Sequence, residues 1–344
     1  MRNRIFILRI IALTFIALSV ITGCSSVDEI EVNPARAPEQ PSIETPQHFD
    51  NSTAASSVET AEPPYRTPAP TPDATSEPSA APSETPDEIP EYIVIGGERI
   101  STAETELHLD PDAIQITDAD IIQLRYMTNL QVLSINATLS ISRDISDISA
   151  LAELTNLTYL SLIGNQVSDI SALAGLTNLE FLCLSGSKIS DISALAELTN
   201  LTYLSLIDNQ ISDISALENL TNLVILALND NQISDISALA NLTNLKSLFF
   251  TRNQISDISV LAGLTGLERL GLSDNQIRDI SLLANLTDLT YLELSNTPVS
   301  DLSPLSCLTG LSTLIAMDNQ ISDWSPVAHV EKVLKNPWDW DLLS

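Results

Sequence analysis

Between residues 150 and 330 apolar side chains recur in one phrase, Leu-x-x-Leu-x-Leu-x-x-Asn. It is read at Leu157 to Asn165, then at Leu201 to Asn209, Leu223 to Asn231, Leu245 to Asn253, Leu267 to Asn275 and Leu311 to Asn319. The asparagines lie multiples of 22 residues apart, with Ser187 and Thr297 at the two intermediate positions. Alternation at Leu160 and Leu162 predicts a short strand with one buried face. The following Val167, Ile170, Leu173 and Leu176, three or so residues apart, predict a tight helical turn facing the same interior. A unit this short cannot bury its apolar face alone, so the units must stack in register around one continuous core.

Two polar positions keep step with the leucines. A buried amide at Asn165, Asn209, Asn231, Asn253, Asn275 and Asn319 can bond backbone groups of its own and the adjacent coil, forming a structural ladder. The Asp of each Ser/Arg-Asp-Ile/Leu/Trp-Ser run (Asp169, Asp191, Asp213, Asp235, Asp257, Asp279, Asp301, Asp323) is placed to accept backbone N–H groups of the helical turn. Single carboxylates one coil apart lack the converging oxygen cage that calcium wants. The phrase and its Asp-Ile-Ser-Ala-Leu-Ala-x-Leu-Thr-Asn-Leu extension resemble the leucine-rich repeats of bacterial internalins over about residues 92 to 335. The resemblance implies an α/β leucine-rich-repeat solenoid, with a parallel β-sheet on the concave face and short 3-10 or helical turns on the convex face.

Such a column exposes apolar ends that need covers. At the front, Tyr92–Ile95, Gly96-Gly97 and Glu98–Ser101 read as a hairpin with a two-residue loop, and an irregular first coil completes a cap over 91–124. The repeats occupy 125–326, with extra residues around Ser140–Arg143 expected to bulge outward. In the C-terminal cap, 327–344, the stripe Val327–Leu334 reads as helical and stops at Asn336-Pro337. All three tryptophans (Trp324, Trp338, Trp340) fall at this end, where they serve as a terminal cap or as a docking patch.

Strand alternation maps the outward face, starting from Tyr159, Ser161 and Ile163. Tyr159, Ile163, Phe181, Tyr203, Ile207, Ile225 and Phe249 are expected to form an exposed apolar stripe, joined by Arg252, Arg269 and Tyr291, that holds a ligand. Strand propensity copied by repeat duplication accounts for the same residues without a ligand. Asn156, Asn200, Asn219, Asn241 and Asn285 match a glycosylation sequon but belong to the repeat phrase. Cys183 and Cys307 lie more than five coils apart, roughly 25 Å at strand spacing, so they should be unpaired thiols.

Upstream of the repeats the pattern changes. Arg2, Arg4 and Arg9 precede an apolar run from Ile10 to Ile21, too short for a membrane span, which makes 1–23 a signal peptide. The run ends Val20-Ile21-Thr22-Gly23-Cys24-Ser25-Ser26, which resembles the lipobox of bacterial lipoproteins and implies cleavage before a lipidated Cys24. An ordinary signal peptide or uncleaved anchor has the same layout. Residues 24–90 hold 13 of the 18 prolines among Ser, Thr, Ala and Glu, without apolar periodicity. Such a segment is a disordered tether, since it cannot bury enough to offset its ordering entropy. A Pro-rich ligand or a glycosylated stalk shares that composition.

Charge then narrows the function. With 45 Asp+Glu against 15 Lys+Arg, a net charge of −30 and scattered cations, nucleic acid is excluded as a partner. Three dispersed histidines (His48, His108, His329) and three cysteines offer no metal site or His-based triad, so neither an enzyme nor a cofactor is expected. The expectation is a monomeric binding protein that grips a host or envelope protein on its concave face. Only its N-terminal lipid touches the membrane, at the outer face of the bacterial cell membrane or at an outer membrane. A structural envelope spacer without a concave-face ligand is the alternative.

Overall fold

The computed structural model describes residues 89–109, 116–136 and 145–336. Cys24, the signal peptide, most of the tether, the expected bulge at Ser140–Arg143, Trp338 and Trp340 lie outside the described residues. β1 (Tyr92–Ile95) and β2 (Glu98–Ser101) pair antiparallel, with Ile95 opposite Glu98. Gly96 and Gly97 both have positive φ, at 56° and 87°, the twist that a two-residue hairpin loop requires. Ile93 and Ile95 point into the core, so the hairpin lies over the first coil.

Eleven strands make the second sheet, all parallel and in sequence order. They are β3 (Glu106–Leu109), β4 (Val132–Ile135), β5 (Tyr159–Ser161), β6 (Phe181–Cys183), β7 (Tyr203–Ser205) and β8 (Ile225–Ala227), followed by β9 (Ser247–Phe249), β10 (Arg269–Gly271), β11 (Tyr291–Glu293), β12 (Thr313–Ile315) and β13 (Lys332–Leu334). From β4 onward a short 3-10 turn follows each strand as far as β12, and a four-residue helix α1 (Asp118–Ile121) runs into a 3-10 turn after β3. This is the leucine-rich-repeat solenoid, sheet on the concave side and turns on the convex side. Its core is a column: Leu160, Leu162, Val167, Ile170, Leu173 and Leu176 are buried, as are their equivalents in every coil to Leu308. Among the described residues, no helix is long and apolar enough to cross a membrane.

Amides link the coils. Asn231 Nδ2 donates to Leu206 O (2.9 Å) and Leu228 O (3.1 Å), and its Oδ1 accepts the Ile211 N–H at 3.0 Å. The same pattern holds at Asn209, Asn253 and Asn275. A second ladder, which sequence reading treated as repeat phrase and sequons, runs along the other edge. Asn156, Asn178, Asn200, Asn222 and Asn244 each donate to a threonine carbonyl of the preceding coil at 2.8–2.9 Å.

On the convex side Asp169, Asp191, Asp213, Asp235, Asp257, Asp279, Asp301 and Asp323 each accept the N–H of the serine two residues on, at 2.8 Å. The aspartate stands one residue before the turn's N-cap, so it holds the first turn from outside. These backbone N–H bonds hold the carboxyls of Asp169, Asp191, Asp213, Asp235, Asp257, Asp279 and Asp323 below the ordinary carboxylate range. A depressed folded-state pKa gives stability that is present above the unfolded value and lost as pH falls through the folded one. The melting temperature should therefore fall as pH drops below about 4, the ordinary aspartate value. A midpoint that stays level or rises through that window would contradict the role of the aspartate row.

The C-terminal stripe is not helical. Val327 closes a 3-10 turn and Lys332–Leu334 add strand β13, with Lys332 N–H on Ser312 O (2.9 Å) and Ala316 N–H on Leu334 O (3.0 Å). The open edge of β12 offers unpaired backbone groups, and an isolated eight-residue helix has too little length to compete with them. Trp324 packs against the last core residues, with Lys335 Nζ 4.4 Å from its ring centre.

Candidate functional site

The concave face is built from three rows of side chains, which repeat because every strand pairs in the same register. Tyr159 pairs with Phe181, Phe181 with Tyr203 and Tyr203 with Ile225, so these residues form one continuous row. Parallel strands lie about 4.8 Å apart, close to the thickness of stacked rings. Tyr159 and Phe181 stack with centroids 4.2 Å apart and planes 9° from parallel, and Phe181 and Tyr203 repeat this at 4.2 Å and 8°.

This packing corrects the expected exposed stripe. Tyr203 is only 6% exposed, Ile207 8% and Phe249 2%, while Tyr159, Ile163, Phe181, Ile225 and Tyr291 are half-buried. In a ladder of identical offsets each side chain shields its neighbours' faces and leaves only edges to solvent. Burial accordingly pushes the Tyr159 phenol up to about 12 and raises Tyr203 further. The floor beneath is small and polar: Ser185 Oγ lies 2.8 Å from Ser205 Oγ, and Ser161 Oγ donates to Asn136 Oδ1 at 2.7 Å. Cys183 is buried in this floor, and burial pushes its thiol up, away from the thiolate a nucleophile needs. Cys307 is an exposed free thiol.

A second cluster lies toward the C-terminal half. Phe249 packs on Ile207 and Ala227 and is joined by Tyr291. Its ring lies over Gly271, where a Cβ would come within 2.8 Å of the ring carbon Cδ1, so any larger residue there would have to push the ring aside. Arg269 stacks its guanidinium 4.8 Å from the Tyr291 ring centre and 6.0 Å from that of Phe249. Its Nε is buried with no hydrogen-bond partner among the described residues. Tyr291 donates its phenolic O–H to Glu293, two residues on in the same strand and so on the same face, a residue absent from the expected ligand stripe. The available signal was chemical: from β5 to β12 Glu293 is the one charge in a central row of Ser, Cys, Ser, Ala, Phe, Gly and Ile.

Burial raises the Glu293 pKa, against the pull of the Tyr291 hydrogen bond and the Arg269 charge. For a carboxylate with a raised folded-state pKa, stability is lost as pH climbs from the unfolded value through the folded one. Glu293→Gln removes that loss and keeps an acceptor for Tyr291. The variant should melt higher than the parent near neutral pH, with the difference closing in acid. Equal melting temperatures at neutral pH would show that the carboxylate costs nothing.

Arg252 does not stand on the sheet face. It sits at the rim in the left-handed region, φ 56°, and pairs with Asp230 at 2.7 Å. Asp208, Asp230, Asp274, Asn296 and Asp318 share that backbone conformation at the equivalent places. The tolerance of Asp and Asn for αL explains their choice. The ladder asparagines stay beneath the face and take no part in it. Among the described residues no group of three or more His, Cys, Asp or Glu is arranged to hold a metal ion.

Comparison with known proteins agrees with this geometry. The family described as leucine rich repeats (2 copies) matches at residues 155–197, 177–219, 199–241, 221–263 and 265–307. The crystal structure of the internalin InlF from Listeria monocytogenes is 33% identical, covering 72% of this chain and 80% of that one, with a TM-score of 0.58. Internalin C2 from the same organism is 35% identical over 58% of this chain and 83% of that one, at a TM-score of 0.49. The functional domain of Listeria InlJ, 24% identical over 70% of this chain and 56% of that one, shares the fold at a TM-score of 0.54. No curated protein matches the chain.

Proposed function

This chain belongs to the internalin-like family of leucine-rich-repeat proteins, and from that membership we propose that it is an exported, lipid-anchored binding protein that holds a protein ligand on its concave face. Leucine-rich-repeat proteins commonly mediate protein–protein interaction, and this reading adds the anchor, the surface and the residues. One observation carries it. The stacked shelf Tyr159–Phe181–Tyr203 is followed in its row by Ile225 and Ser247, and beyond them the Phe249–Arg269–Tyr291 cluster forms a second patch, so that Tyr, Phe and Arg side chains are held against one another along the face. Those residue types supply contact area at low cost in rotamer entropy, which is why Tyr and Arg dominate binding hot spots. Because the rings are already locked against each other, a ligand would meet them ordered. Cys24 would carry the lipid, and the Pro-rich segment would hold the solenoid away from the membrane.

The test is photo-crosslinking on the native cell surface and with neighbouring or host cells. The crosslinker replaces Ile225, which is half-buried on the shelf, and a control replaces Ser215, which is exposed on a convex turn. One discrete adduct at 225 and none at 215 supports the concave-face reading. Adducts at neither would favour a spacer that uses the solenoid only as bulk. Cys24→Ser separately tests the anchor: the protein should leave the membrane fraction, and its retention there would refute lipidation at Cys24.

A further inference from the structure

Where each strand turns away from the sheet, the coils repeat Asn-Gln-Ile-Ser-Asp with few changes. Three departures fall side by side. Arg278 stands where the other coils have Ser, Thr297 replaces Asn and Pro298 replaces Gln. In regular coils two bonds cross this flank. The Gln210, Gln232, Gln254 and Gln276 N–H groups donate to the isoleucine carbonyl of the preceding coil at 2.8 Å. The N–H of that same isoleucine donates to the ladder asparagine of the next coil at 2.9–3.0 Å. Pro298 has no N–H for the Ile277 carbonyl, and Thr297 has no amide oxygen for the Ile277 N–H. Both links are therefore lost between these two coils.

At this break lies a cavity of about 710 Å³, walled by Gln276, Arg278, Asn296, Pro298, Asp318 and Gln320 together with ladder and capping residues. We propose that this flank cavity is a second binding site, separate from the sheet face, and that it takes a carbohydrate of one or two sugar units. Its size falls within the range of small-ligand sites, and about half of its wall is polar, more than is usual for them. Amides, the Arg278 guanidinium and the Asp279 and Asp318 carboxylates line it together, so a ligand meets both donors and acceptors. A surface of hydroxyls, each both donor and acceptor, answers that pattern, whereas an apolar ligand would strip water from these groups without replacing it. A polyanion would meet Asp279, Asp318 and the charge of −30. Arg278 is exposed and forms neither of the two ion pairs found among the described residues, so its donors remain open to a ligand. The chain gives up two ladder bonds here although its own repeat supplies the residues that make them, and local rules are broken in this way mainly where function requires it.

Saturation-transfer NMR on the chain tests this, using free glucose, galactose, mannose, N-acetylglucosamine and their common disaccharides as probes. At least one sugar should receive transfer. R278S should weaken it about tenfold through loss of charge-assisted bonds. T297N/P298Q restores the ladder residues and should abolish transfer while melting higher than the parent, so loss of signal cannot be blamed on unfolding. F181A on the sheet face should leave the signal unchanged, which separates this site from the concave-face reading. No transfer from any probe, transfer that survives both R278S and T297N/P298Q, or transfer lost in F181A would overturn the proposal.

Discussion

Asn231→Ala should destabilise the solenoid by about 4 kcal/mol, because several buried backbone groups lose their partner at once, each at about 1–3 kcal/mol before partial rescue by water. The carbonyls of Leu206, Leu228 and Asn229 lose their donor and the Ile211 N–H loses its acceptor. Asn231 sits in the middle of the stack, so the lesion weakens a coil interface rather than an end, and an array of nearest-neighbour coils is sensitive to that. Denaturant unfolding monitored by circular dichroism measures it, with the exposed neighbour Gln232→Ala as the control, expected within about 0.5 kcal/mol of the parent. A cost for Asn231→Ala below about 1 kcal/mol would mean that water replaces the ladder.

Phe249→Ala should cost about 3 kcal/mol, as expected for deleting a buried ring that cannot be refilled. Its effect reaches function because Phe249 is the floor on which Tyr291 and Arg269 rest. Burial and the nearby Glu293 hold the Tyr291 phenol well above its ordinary pKa. Opening the cluster should bring that phenol down toward the ordinary value, visible in an ultraviolet titration, and should weaken any concave-face ligand. The same contact can be broken from the other side. Gly271→Ala puts a Cβ within 2.8 Å of the Phe249 ring and should cost about 1–3 kcal/mol. In the Phe249→Ala background that substitution should be nearly neutral, since both changes act on one contact. Additive costs would show that Gly271 serves the fold in some other way.

The regular part of the fold was legible residue by residue. Leu160 and Leu162 announce the strand, Ile170 and Leu173 the turn, Asn165 the exit from the sheet and Asp169 the turn's first N–H. The two ends were less legible. The Val327–Leu334 stripe reads as helical, but a docked strand and a free helix differ in their neighbours, and β12 is not visible along the chain. The Asn156–Asn244 row hid for a related reason: its acceptors are threonine carbonyls 23 to 28 residues upstream, so local reading found only sequons at Asn156 and Asn200 and repeat phrase at the rest.

The candidate site divides in the same way. Alternation placed Tyr159, Phe181, Tyr203, Phe249 and Tyr291 on one face, and order along the chain sufficed for that. It could not say how much of each ring meets water, nor that Gly271 makes room for Phe249, nor that Glu293 is drawn into the cluster by Tyr291. The sequence by itself determined the repeat, the parallel sheet, the core column and the choice of face, because these depend on spacing within a single coil. Tertiary structure alone decided burial, ring stacking, the raised Glu293 pKa and the cavity beside Pro298, because these depend on what the next coil places about 5 Å away.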